Sequence, residues 1–257
     1  MIIDPFFYMC AVPAVLLFGM AKGGLGGGLA LLAVPLMALS VSPVTAAAVL
    51  LPILIIMDAT AVWRFRGKWS TINLRYTIPG ALVGVVIGAL TFRYLSDDAI
   101  RIMIGAIAVA FCLNYWLRSK NGPQKTPSPV RGNFWGSIAG FTSFGIHAGD
   151  PPISMYVLPL KLEKTVMMGT FAAFFAVVNW AKAIPYFGLG LLDYSSLMTS
   201  LVLVPVAPIG VLFGYYCMQR IDEAIIYRLC YFFLMLVGLK LLWEGLGLSF
   251  SDVAQLF

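Results

Sequence analysis

The sequence predicts an all-α, polytopic membrane protein made of two inverted repeats, each a Gly/Pro-broken re-entrant helical hairpin followed by three transmembrane helices. Three observations predict it. Of 257 residues, 61% are apolar and only 11% charged, too little polar surface to coat a water-soluble globule. The apolar residues run in stretches of about 20, the length a helix needs to cross roughly 30 Å of hydrocarbon, instead of alternating strands of about ten. The two halves also align with each other at an offset of 124 to 126 residues.

The alignment rests on ordered Pro and Gly matches. Pro35 pairs with Pro159; Pro79, Gly84 and Gly88 pair with Pro205, Gly210 and Gly214; Leu95-Ser96-Asp97 pairs with Ile221-Asp222-Glu223. It divides the chain into a first membrane repeat, 1–117, a linker, 118–131, and a second membrane repeat, 132–257. The linker is polar and contains Asn121-Gly122-Pro123 and three prolines.

In the first repeat the short apolar pieces cover 4–20 and 25–40, and full spans follow at 44–63, 76–94 and 99–117. The second gives 134–146 and 152–160, then 166–187, 196–216 and 224–243. Segments of 9 to 17 residues are marginal for crossing alone, so each short pair reads as a hairpin whose tip stops inside the membrane. Three crossings per half, or five if every short piece spans, is odd either way. The second half is therefore upside down relative to the first, a frequent architecture of secondary transporters.

Charge tests the layout independently. Arg64, Arg66, Lys68, Arg75, Arg118, Lys120, Lys125, Arg131, Lys161, Lys164, Arg220 and Arg228 fall on one side, twelve of the seventeen basic residues. The other side receives Arg93, Arg101, Lys182 and Lys240, with Asp4, Asp97, Asp98, Asp193, Glu244 and Asp252. By the positive-inside rule this is a multi-pass protein of a bacterial inner membrane with both termini periplasmic. The formal charge of +6 sits in short loops and forms no basic face for nucleic acid. The apolar stretch from Ile2 to Met20 lacks a basic n-region and runs into Lys22, so it is expected to stay uncleaved. Cys10, Cys112, Cys217 and Cys230 show no CxxC spacing and no His nearby, which predicts plain buried thiols, no metal and no cofactor.

Irregular backbone at membrane depth needs protein or a watery cavity to satisfy it. Lys22-Gly23-Gly24-Leu25-Gly26-Gly27-Gly28 suits anion binding: glycines allow positive φ and close approach, and a helix starting near Leu25 would aim its N-terminus at the tip. The competing reading is that the glycines only permit close helix packing while Lys22 snorkels. A lysine at the bilayer centre costs roughly 2.5–3.5 kcal/mol and is usually tied to function. The second break is Gly145-Ile146-His147-Ala148-Gly149-Asp150-Pro151-Pro152, where Asp150 could cap the next helix. His147, the sole histidine, is a proton carrier or a structural hydrogen-bonder, and Asp150 could share its proton. Asp58, Asn179 and Lys182 add polar positions in the third segments. Asp58 and Lys182 correspond under the repeat offset and stand near helix ends, where snorkelling is an equal explanation; Asn179 is deeper.

Gly19-Met20-Ala21-Lys22-Gly23-Gly24-Leu25-Gly26-Gly27-Gly28 with Val34-Pro35 resembles the opening signature of the TauE/SafE family, the sulfite exporter and toluenesulfonate uptake permeases. His147-Ala148-Gly149-Asp150-Pro151-Pro152, Tyr156-Val157-Leu158-Pro159 and Gly169-Thr170 resemble a subgroup of it. The resemblance covers nearly the whole chain. It implies transport of sulfite, organosulfonates such as sulfoacetate or taurine-related compounds, or thiosulfate. Many members carry glycines where this chain has Asp150-Pro151-Pro152, and a carboxylate beside an anion site would repel cargo.

These readings converge on an alternating-access transporter, outward in direction, with its anion near the midplane. Lys22, Gly23, Gly24, Gly26, Gly27, His147, Gly149 and Asn179 would bind it, with His147 and Asp150 as proton-coupling groups and Asp58, Thr170 and Lys182 in supporting places. An anion channel and an uptake permease coupled to protons or Na+ are the alternatives. An enzyme is disfavoured, because no nucleophile motif, HExxH or paired-Cys site accompanies His147 and Asp150. The sequence leaves the oligomeric state open, a homodimer included.

Overall fold

The computed structural model describes residues 1–25, 29–92, 94–117, 124–218, 220 and 223–247. Among them every regular element is helical: α1 (Pro5–Met20), α2 (Ala33–Met37), α3 (Pro43–Arg64), α4 (Thr71–Phe92), α5 (Asp97–Leu117), α6 (Pro129–Ile146), α7 (Asp150–Val157), α8 (Lys164–Gly188), α9 (Tyr194–Leu203), α10 (Val206–Met218) and α11 (Glu223–Gly245). Four stretches are long and apolar enough to cross a membrane: Pro5–Leu25, Pro43–Arg64, Thr71–Phe92 and Lys164–Gly188. The pair α9 and α10, bent by 44° after Leu203, makes a fifth. With its terminal π turn the first limb reaches 21 residues, longer than the sequence pattern suggests.

Local chemistry sets the starts. Asp4, Ser42, Ser128 and Asp193 each accept a backbone N–H in the first turn of α1, α3, α6 and α9, and Pro5, Pro43 and Pro129 occupy first-turn positions that need no N–H. The Ser196 hydrogen bonds on Asp193 hold that loop carboxyl below the ordinary carboxylate range. Pro205 lies in the bend between α9 and α10, where its missing N–H and ring break the ladder.

Four pairings build the bundle: α6 along α4, α1 along α10, α3 against α8 and α5 against α11. Lipid tails are as apolar as leucine, so such pairs are held by close packing and small residues. Gly80 and Gly84 of α4 lie against the backbone of α6 at Asn133 and Ser137, and Gly136 and Gly140 of α6 lie against Thr77 and Ala81. On the other pair, Gly19 of α1 meets Gly210, and Gly214 of α10 meets Met20. Gly84 and Gly88 of α4, and Gly210 and Gly214 of α10, are thus contact faces for α6 and α1. The outward faces repeat as well: Val83, Val86, Ile87 and Leu90 of α4 are exposed, and so are Ile209, Leu212, Phe213 and Tyr216 of α10, each 126 residues later.

Contacts also sort the ends. The turn after α3 is held at Ser70, whose N–H donates to Thr170 Oγ1 at 2.9 Å. Tyr156 Oη donates to Asn73 Oδ1 at 2.9 Å, Arg131 lies over the Tyr156 ring, and Arg64 lies 3.6 Å from the centre of the Tyr215 ring. The basic positions Arg64, Arg66, Lys68, Arg131, Lys161 and Lys164 therefore share one end. The other end carries the Arg101–Glu244 bridge at 2.8 Å, Lys240 and the Met1 amino group bonded to Ser195 Oγ. Cys10, Cys112 and Cys217 are free and buried, while the Cys230 side chain lies outside the described residues.

The glycine interfaces make a direct prediction. A methyl group on Gly84 would run into Ser137 O and stand 2.8 Å from Phe141 N, whereas one on Gly188 meets nothing within 4 Å. Gly84→Ala is expected to cost about 1–3 kcal/mol, the usual range for overpacking, and to lower the thermal midpoint in detergent. Gly188→Ala should melt like the parent, and equal melting of both variants would refute the close α4–α6 contact.

Candidate functional site

The two breaks meet at the centre of the bundle. α1 runs out in a π turn, Ala21–Leu25, with Gly24 at φ 132°, a backbone open to glycine alone at little cost. π turns inside helices often mark functional positions. Gly23 packs on Val211 and Tyr215 of α10 and Gly24 on Met218, so both serve helix packing. Gly26 and Gly27 lie outside the described residues. The next described helical turn is a 3-10 turn at Ala30–Leu32; a helix start just after Leu25 would fall outside the described residues.

Lys22 does not snorkel. Its ammonium pairs with Asp58 and stands 4.9 Å from the centre of the Phe175 ring and 5.6 Å from that of Phe18. Asp58 is 1% exposed, and its second oxygen accepts from Asn179 Nδ2 at 2.5 Å. Both carboxylate oxygens are engaged. Asn179 is 1% exposed, and its Oδ1 has no hydrogen-bond partner among the described residues. The ammonium offers three donors and gives one to Asp58; among the described residues the other two have no acceptor.

The second break is built on the same plan with different chemistry. His147 stands past the end of α6 at φ 54°, a left-handed conformation that costs an L-residue roughly 1–2 kcal/mol. Its ring is held at both nitrogens: Nε2 is 2.9 Å from Ala47 O, and Nδ1 is 2.7 Å from Lys182 Nζ. A carbonyl only accepts, so Nε2 carries the proton and Nδ1 accepts from Lys182. Lys182 is 0% exposed and spends its other donors on Ser143 O at 2.9 Å and Ser143 Oγ at 3.0 Å. Like Asp58, it turns into the bundle two turns from a helix end.

Lys22 with Asp58 and His147 with Lys182 are corresponding pairs at the repeat offset. Asn179 and Lys182, three residues apart on one face of α8, join the two tiers. Ala47 and Asp58 lie eleven residues apart on α3, about 16 Å at 1.5 Å per residue. Beside the His147 tier a cavity of about 260 Å³ opens, lined by Val44, Ala47, Phe92, Phe144, Tyr186 and Leu189 among others. Tyr186 stacks on His147 and donates to Phe144 O at 2.5 Å.

Two candidates stand differently from the sequence expectation. Gly149 is the N-cap of α7, and Asp150 is its first residue with no side-chain cap bond. Asp150 follows Gly149, which packs on Ser143 and Phe175, and its carboxyl lies in the field of Lys22, Asp58 and Lys182. Thr170 is bound to Ser70 N and Val166 O at the basic end, away from the breaks. Sequence reasoning missed Ser143, Ala47 and Tyr186, whose parts are played by a backbone carbonyl, a hydroxyl and a ring that carry no motif. Among the described residues no cluster of three His, Cys, Asp or Glu side chains is present.

A helical bundle with breaks in mid-membrane and ionised groups buried around them defines a polytopic membrane transport protein. The model of the sulfite exporter TauE/SafE family matches residues 11–241, and the chain belongs to that family. No curated protein and no solved structure matches it. Membership makes it a membrane transporter of sulfur anions.

Removing one partner of a buried pair leaves the other charge uncompensated and typically costs about 3–5 kcal/mol. Asp58→Asn is therefore expected to destabilise strongly. The double variant Lys22→Gln/Asp58→Asn should recover much of the loss, because no lone charge remains. Additive losses in a denaturation cycle would show that the two residues do not depend on each other.

Proposed function

We propose that this protein is a secondary transporter that holds a small sulfur oxyanion, sulfite or an organosulfonate, between its two hairpin breaks and passes it across the bacterial inner membrane by alternating access. Residues 1–117 and 132–257 are inverted repeats joined by the cytoplasmic linker 118–131, and both termini are periplasmic. The recurrence of the glycine, lipid-facing and charged positions at offsets of 124 to 126 supports the duplication, and the gathering of basic residues at one end supports the orientation.

One observation carries the site. Lys22 is the less enclosed of two lysines in a buried charge cluster, and among the described residues two of its donors have no acceptor. An oxyanion accepts them while Asp58 keeps the third, and charge-assisted bonds of this kind are the strong ones in a dry site. Backbone N–H groups around Gly23, Gly24 and Gly149 and the Asn179 amide complete the cradle. His147, fixed by Lys182, shapes its outer wall, and the cavity beside Tyr186 is the outer vestibule. An anion moving alone is driven outward by a negative-inside potential of about 100 mV, worth about 2.3 kcal/mol per charge. Export is the direction of an uncoupled cycle.

Lys22→Gln removes the charge and keeps much of the volume. Because Lys22→Gln alone strands Asp58, binding is read in the double variant Lys22→Gln/Asp58→Asn, which is expected to bind isethionate or sulfite at least tenfold more weakly, about 1.4 kcal/mol, in a protein that still folds. Unchanged affinity would remove Lys22 from the site. In proteoliposomes, saturable counterflow of labelled anion is expected; flux without counterflow would make the protein a channel. For orientation, in a background without the native cysteines, Arg66→Cys should react from the cytoplasm and Asp97→Cys from the periplasm. Labelling from one face would overturn the topology.

A further inference from the structure

The mechanism above leaves Asp150 without a task, and the geometry around it singles it out. Four groups besides Asp150 in the cluster carry titratable side chains: Lys22 on the π turn, Asp58 on α3, Lys182 on α8 and His147 in the same hairpin as Asp150. Asp58 has both oxygens engaged, by Lys22 and Asn179. His147 has both nitrogens engaged, and all three donors of Lys182 are spent. A proton added to His147 could enter only at Nδ1, where it would displace the bond from Lys182 and place two cations 2.7 Å apart. Among these groups Asp150 alone makes no side-chain hydrogen bond among the described residues, and its residue is less enclosed than Asp58.

The charge balance gives this carboxyl a consequence. With Asp150 ionised, Lys22 and Lys182 are cancelled by Asp58 and Asp150, and the arriving anion meets no net positive charge. It meets instead a carboxylate that repels it. With Asp150 protonated the cluster carries one positive charge, which a monoanion neutralises. The neutral acid also gains an O–H that can donate to the oxyanion.

We propose that Asp150 is the proton site of this transporter: its carboxylate takes up one proton from water as the oxyanion binds and returns it as the anion leaves. This rests on the oxyanion reading of the site. The loaded cluster is then neutral for a monoanion, so movement follows the summed gradients of anion and proton rather than the membrane potential. The same chain serves uptake when the outer face is acidic.

The test uses the purified full-length chain and isethionate, whose sulfonate stays ionised at every pH used. Affinity is measured at pH 5.5 and pH 8 in the parent, Asp150→Asn, Asp150→Glu and His147→Gln. The parent is expected to bind at least tenfold more tightly at pH 5.5 and to take up about one proton per anion, read from binding heats in buffers of different ionisation enthalpy. Asp150→Asn, a permanent mimic of the neutral acid, should bind equally at both pH values with no proton uptake. Asp150→Glu and His147→Gln should keep the pH dependence. A parent without pH dependence, or Asp150→Asn with the parent's, would overturn the assignment, as would loss of the dependence in His147→Gln alone. If the parent binds isethionate at neither pH, the oxyanion reading fails by itself, and infrared titration without ligand still decides the proton. A carboxylic acid band that appears on acidification in the parent and is missing in Asp150→Asn supports the site; the same band in both sinks it.

Discussion

A lysine and an aspartate that share hydrocarbon must share each other, and the Lys22–Asp58 pair is the constraint around which the centre of this molecule is arranged. Taking either ion out of water costs several kcal/mol, and their attraction repays this only with good geometry and further hydrogen bonds. Asn179 supplies the further bond on the carboxylate, and the rings of Phe18 and Phe175 flank the ammonium. The pair fixes α3 and α8 against the end of α1, so the first break cannot be displaced without exposing a charge. Close packing of Gly23 on α10 then follows from where the π turn is held.

The second break solves the same problem without a counter-ion. Lys182 meets a carbonyl, a hydroxyl and a neutral imidazole, so its charge is solvated by dipoles and not cancelled by direct contact. That is why His147 sits in a left-handed backbone where glycine would be cheaper. A glycine there would leave one ammonium donor and the carbonyl of Ala47 without a partner, and each buried unmade bond costs about 1–3 kcal/mol. The imidazole earns its backbone strain by satisfying both.

Much of this arrangement was legible before any coordinates. The all-helical character, most of the spans, the breaks and the sorting of basic loops follow from composition and from Pro and Gly spacing, and the family follows from the motifs around Lys22 and His147. The partners were not legible. α3 is apolar on nearly every face, so no pattern tells which way Asp58 points, and its position two turns from the helix end made snorkelling an equal reading. Pairing with Lys22, 36 residues earlier, depends on how a π turn rotates the end of α1. What Thr170 touches was not legible for another reason: a motif marks a residue without saying what it contacts, and its hydroxyl anchors the α3–α4 turn.

The two tiers are chemically unequal. In one, a cation at the break meets an anion on the neighbouring helix; in the other, an imidazole meets a cation. Equal tiers would leave the centre either neutral in both halves or doubly charged, and neither suits a carrier that must bind an anion and release it. Unequal tiers leave one charge in surplus, that of Lys182. The nearby Asp150, outside both pairs and free of hydrogen bonds among the described residues, is where that surplus is exposed or cancelled. In the proposed cycle the charge of the centre is therefore set by a single carboxyl.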